Sequence, residues 1–157
     1  MTLNLPPILR MLLLGLAVAL APASPGQTAP PEGVVDLPPE LTAPGEVILQ
    51  LTLALPPGWQ LTPDAPQSVR LNVQEPQVLH LAPGAAAALR QPRFPLSLPL
   101  TAAPGRTVLR LDLVLNLCRS DGKGMCLIRE VRLLLPVTVA AGAPTRPLEV
   151  TVPLGSF

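Results

Sequence analysis

Tyrosine is absent from this 157-residue chain, and Trp59, Phe94 and Phe157 are its only aromatic residues. A carbohydrate-binding face of stacked rings is therefore excluded, and the core has to be built from leucine and valine. Histidine occurs once, as His80, in an alternating run with no acid beside it and no serine or cysteine at a nucleophile elbow. Hydrolytic catalysis is left without a recognisable base. Zinc lacks its usual paired-ligand spacing, since the two cysteines stand far from His80 in sequence. Met125 beside Cys126 offers soft sulfur to reduced copper, but a methionine in a glycine-rich tip more commonly packs there, so no metal or cofactor is expected. No window shows a helical period with caps; Ala85 to Leu89 is long enough for one turn only.

Long apolar runs are also missing, with one exception. Arg10 is followed by Met-Leu-Leu-Leu-Gly-Leu-Ala-Val-Ala-Leu and then Ala21-Pro22-Ala23, a small-x-small cleavage site. Residues 1–23 read as a secretory signal peptide, too short for a spanning helix of roughly 20 apolar residues. No cysteine follows the site for lipid attachment. The expectation is a periplasmic or secreted protein with no stable membrane insertion after cleavage, in a compartment where disulfides persist. Charge is sparse, at 11 Lys plus Arg against 10 Asp plus Glu. Cleavage would remove Arg10 and no acid, leaving a neutral chain. Neutrality argues against a nucleic-acid partner and supplies no attraction to an anionic membrane surface.

What is abundant is proline, at 23 residues, in clusters that punctuate leucine- and valine-rich segments. Residues 24–45 read as a Pro/Gly-rich linker, with Val34, Val35 and Leu37 as the one possible first strand or edge segment. Residues 46–157 then form one domain. Strands are expected at Glu46 to Leu55, Ser68 to Gln74, Gln77 to Leu81, Phe94 to Leu100, Thr107 to Leu117, Leu127 to Val139 and Pro147 to Pro153. The fold class is all-β, a sandwich of about seven strands. Because proline lacks an N–H donor, the prolines within Phe94 to Leu100 mark that strand as an edge.

The two cysteines bracket Cys118-Arg-Ser-Asp-Gly-Lys-Gly-Met-Cys126, between two of those apolar segments. The segments read as arms of one long hairpin, with Asp121-Gly122 and Gly124 supplying left-handed backbone at the tip. Opposed residues in an antiparallel pair have numbers that sum to a constant. Setting Cys118 against Cys126 places Leu117 opposite Leu127, Leu113 opposite Val131, Leu111 opposite Leu133 and Leu109 opposite Leu135 on one face, with Leu115 opposite Arg129 the exception. Asp112 opposite Arg132, Val114 opposite Glu130, Asn116 opposite Ile128 and the cysteines fall on the other. One face is apolar and the other mixed, so the disulfide is expected on the outer face.

Two roles fit such a bond. As a staple it closes a loop of about nine residues, worth roughly 2–3 kcal/mol in the chain-entropy model. As a redox centre it is reachable by a partner thiolate. A bridge between directly opposed strands can be strained and reducible, and Arg119 and Lys123 would favour a thiolate.

The segment Cys118 to Val139, with strand, Cys, glycine-bearing tip, Cys, strand and Leu135-Pro136-Val137, resembles the immunoglobulin-like N-terminal domain of DsbD-type thiol:disulfide interchange proteins. It also resembles the C-terminal β-domain of some thioredoxin-like NHL-repeat proteins. Leu55-Pro-Pro-Gly-Trp-Gln-Leu-Thr-Pro-Asp-Ala-Pro66 is similar to the Leu-Pro-Pro-Gly-aromatic turn of those domains. The resemblance implies an immunoglobulin-like sandwich whose Cys118 and Cys126 are redox-active. Its implied partners are thioredoxin-fold or other exported thiol-disulfide proteins. The cysteine spacing is longer than in the DsbD type, and Asn116 and Leu117 stand where that type carries aromatics. A non-catalytic interaction module with a structural disulfide is the alternative.

Overall fold

From Thr107 to Leu117 every odd-numbered residue is leucine or threonine and the even ones are mixed, a period of two that suits a half-buried strand. In a computed structural model, which describes residues 33–122 and 124–155, that segment is the longest strand of an all-β sandwich. In chain order the strands are β1 (Val34–Asp36), β2 (Glu40–Thr42), β3 (Gly45–Ala54), β4 (Trp59–Leu61), β5 (Ser68–Val73) and β6 (Leu79–Leu81). They continue with β7 (Ala88–Arg90), β8 (Leu96–Ala102), β9 (Gly105–Arg119), β10 (Cys126–Val139) and β11 (Leu148–Pro153). One sheet runs β1-β10-β9-β5-β7, with β2 also on β10 and β4 also on β9; the other runs β11-β3-β8-β6. Leucine and valine from both sheets fill the space between them, and Trp59 and Phe94 pack at its margin. The proposed signal peptide lies outside the described residues.

All seven expected strands are present, and the differences lie in short segments. The stretch expected to be mostly linker contributes β1, where Val34, Val35 and Leu37 offered a first strand, and also β2; each is three residues long and pairs parallel with β10. Three residues are too few for a hydrophobic period to show, yet Val35 and Leu37 pack on the core. Ala88 to Arg90 pairs with β5 and is not helical, because an available sheet edge outweighs the weak helix preference of an alanine run.

The edge assignment for the Phe94 to Leu100 segment is overturned, since β8 lies between β3 and β6. Pro99 is tolerated there because its carbonyl accepts from Ala82 N on the β6 side, beyond the last β6 pair at Leu81. The N and C=O of a strand residue point the same way, so its missing donor also faces the end of that ladder. Pro136, inside β10, follows the same rule. It falls between the last β1 partner, Leu134, and the first β2 partner, Val137.

Candidate functional site

The β9–β10 register is continuous over fourteen pairs from Val139 opposite Gly105 to Cys126 opposite Cys118, and every pairing expected from the sequence is present. Gly122 and Gly124, both at φ 72°, supply the left-handed turn at the tip. Leu109, Leu111, Leu113, Leu115 and Leu117 are all fully buried, which puts the even-numbered residues and the cysteines on the outer face. Cys118 and Cys126 form a disulfide with Cα atoms 4.0 Å apart. Their spacing is that of a pair not hydrogen-bonded to each other, consistent with the bond from Arg119 N to Met125 O one step along.

The two sulfurs differ in surroundings. Cys118 is half-buried, whereas Cys126 is exposed. On its far side from β10, Cys118 is covered by β4, where Gln60 pairs with it, and by Thr62, whose hydroxyl donates to Cys118 Sγ at 2.8 Å. Thr62 is held firmly. Its N–H donates to Asn116 O at 3.0 Å, its carbonyl accepts from Gln67 Nε2 at 2.8 Å, and Asn116 Nδ2 donates to Pro66 O. Gln67 is buried, whereas the Asn116–Pro66 bond lies at the surface.

Thr62, Gln67 and the bracing role of Asn116 were not singled out from the sequence. The one signal available was that Thr62 lies in the Leu55 to Pro66 block whose resemblance accompanied that of the hairpin. Arg119 is less available to a thiolate than its position suggests. Alternation puts it on the opposite face from Cys118, and its guanidinium bonds Asp121 at 2.6 and 2.9 Å. That hydrogen bond, with the attraction of the carboxylate, raises its pKa above the ordinary value. Lys123 lies outside the described residues. His80 is exposed on β6 in the other sheet, opposite Thr101 and away from the sulfurs.

Further along the outer face, Asp112 lies between β5 and β10. It bonds Arg132 Nε at 2.6 Å and Arg110 Nε at 3.1 Å, with Arg70 its opposed residue on β5. Among the described residues no helix is long and apolar enough to cross a membrane, and no three His, Cys, Asp or Glu side chains converge on one point. The chain matches no known protein-family model and shows no significant similarity to a curated protein.

Proposed function

We propose that this is an exported thiol:disulfide exchange protein in which Cys118 and Cys126 form a reversible disulfide serving a thioredoxin-fold partner. The observation that carries the reading is the asymmetry of the bond: an exposed residue, Cys126, joined to the half-buried Cys118, whose sulfur already accepts a hydroxyl hydrogen bond. Exchange needs an accessible sulfur to attack and a leaving sulfur stabilised as thiolate. Cys126 meets the first need and Cys118 the second. The resemblance of the hairpin to the DsbD-type domain, and the signal-peptide pattern of residues 1–23, support the same reading and an exported location.

The partner's thiolate attacks Cys126 Sγ, forming a mixed disulfide while the Cys118–Cys126 bond breaks. The bonding pair leaves on Cys118 Sγ, where the Thr62 hydroxyl receives the new charge. A second partner thiolate then attacks its own sulfur in the mixed disulfide and releases Cys126 as thiolate. The partner ends oxidised and this protein holds two thiols; the reverse sequence oxidises the protein. Trapping tests the reading. Cys118→Ser should accumulate a mixed disulfide with an exported thioredoxin-fold protein through Cys126, and Cys126→Ser should give far less. Equal trapping, or none, removes the proposed role. A reduction potential below about −300 mV would likewise mark the bond as purely structural.

A further inference from the structure

Displacement at a disulfide sulfur proceeds in line, so the nucleophile approaches Cys126 from the side opposite Cys118. Cys118 lies across the ladder on β9, and the line of approach therefore comes over the other edge of β10. That edge is partly occupied. β1 covers Arg132 to Leu134, Gly33 lies against the Glu130 carbonyl and β2 covers Val137 to Val139, but among the described residues no strand pairs with Cys126 to Ile128 there. Backbone directions along β10 follow from Arg132 N donating to Gly33 O and Leu134 O accepting from Leu37 N. Even-numbered residues point away from β9, so the N–H and C=O of Ile128 face that edge, two residues from Cys126.

We propose that the edge of β10 at Cys126 to Ile128 is the docking site for an extended segment of the thiol partner, added as a further strand. The inference rests on the exchange reading above. A strand paired with Ile128 brings its own residue beside Cys126 on the outer face, at the cross-strand spacing that Cys118 occupies on the other side. Side chains agree with the backbone. Of the four large hydrophobic residues standing exposed among the described residues, Met125 (57%) and Ile128 (66%) flank Cys126. A groove runs along this edge between the two sheets, walled by Val35, Ile128, Arg129 and Val131 on one side and by Pro153 and Leu154 at the end of β11 on the other. It gives the added strand's inward side chains a seat of mixed character, with Arg129 and Glu130 beside Val35 and Val131.

The test uses a property β10 already displays. Pro136 shows that this strand accepts proline where the nitrogen faces away from β9, so Ile128→Pro removes one edge donor without touching the β9 ladder. Reduction of the full protein by reduced thioredoxin should slow by about tenfold in Ile128→Pro, slow by clearly less in Ile128→Ala, which trims the apolar contact but keeps the edge donor, and be unchanged in both with dithiothreitol. An Ile128→Pro rate equal to the parent's, or equal slowing with both reductants, overturns the docking site. A parent protein that thioredoxin does not reduce faster than dithiothreitol overturns the exchange reading itself. Concentration-dependent dimers of the parent that Ile128→Pro abolishes would assign the edge to a second copy and overturn the partner assignment. If Ile128→Pro fails to fold, amide exchange in the Cys118→Ser mixed disulfide with thioredoxin reads the same contact. The Ile128 amide should become protected, and unchanged exchange there overturns the proposal.

Discussion

A single hydroxyl adds a chemical difference to the unequal burial of the two cysteines. Thr62 Oγ1 sits 2.8 Å from Cys118 Sγ, and the disulfide carries no proton, so the hydroxyl is the donor. In the reduced protein the same donor stabilises a thiolate at Cys118, because a hydrogen bond to a charged acceptor contributes more than one to a neutral acceptor. Thr62→Val keeps the shape and removes the donor. The Cys118 thiol should then titrate at higher pH, read by ultraviolet thiolate absorbance, and exchange with thioredoxin should slow by about tenfold. Unchanged titration and rate would separate Thr62 from the chemistry. The cysteines were legible in the sequence because they bracket one local hairpin. Thr62 was not, because it reaches Cys118 from 56 residues away through a loop clamped by Gln67 and Asn116, and no period or spacing encodes such a contact.

At the scale of elements, the hairpin was readable because one constraint, the cysteine pair, fixed a register that the alternation of leucines could check row by row. The short strands β2, β4 and β7 escaped because their pairing is decided by β10, β9 and β5, not by their own residues. Proline was misleading for a related reason: what matters is the direction of the missing donor, which only the ladder shows. The turn into β9 carries a sharper constraint. Gly105 has φ +150°, and a Cβ there would meet Val78 Cγ2 at 2.6 Å. Gly105→Ala should therefore destabilise by about 1–3 kcal/mol in chemical denaturation, through overpacking against the core and a conformation L residues seldom adopt. The row of Arg132, Asp112 and Arg110 is more forgiving. Those ion pairs are solvent-exposed, with arginine side chains 50% and 45% accessible, so Asp112→Asn should cost no more than about 1 kcal/mol and less at high salt.

For the whole molecule, the question is whether the fold depends on the bond that the proposed chemistry breaks. Among the described residues the core contains no sulfur, and its cohesion comes from leucine and valine of both sheets, with Leu111 fully buried between its cross-strand neighbours Leu133 and Leu71. Leu111→Ala should cost about 2–5 kcal/mol, the usual range for a leucine cavity. Reduction removes a different and smaller quantity. The bond closes a sequence separation of 8 residues on the outer face, so opening it should lower stability by roughly 2–3 kcal/mol, while the other thirteen pairs of the hairpin keep their register. Denaturant unfolding with and without reductant measures this, and Cys118→Ala with Cys126→Ala should match the reduced protein. A modest shift in midpoint at constant slope is expected, because in the proposed exchange the reduced form has to stay folded to hand its electrons on. Unfolding of the reduced protein in the absence of denaturant would make the bond a structural staple, and the asymmetry of its two sulfurs would then have no role in exchange.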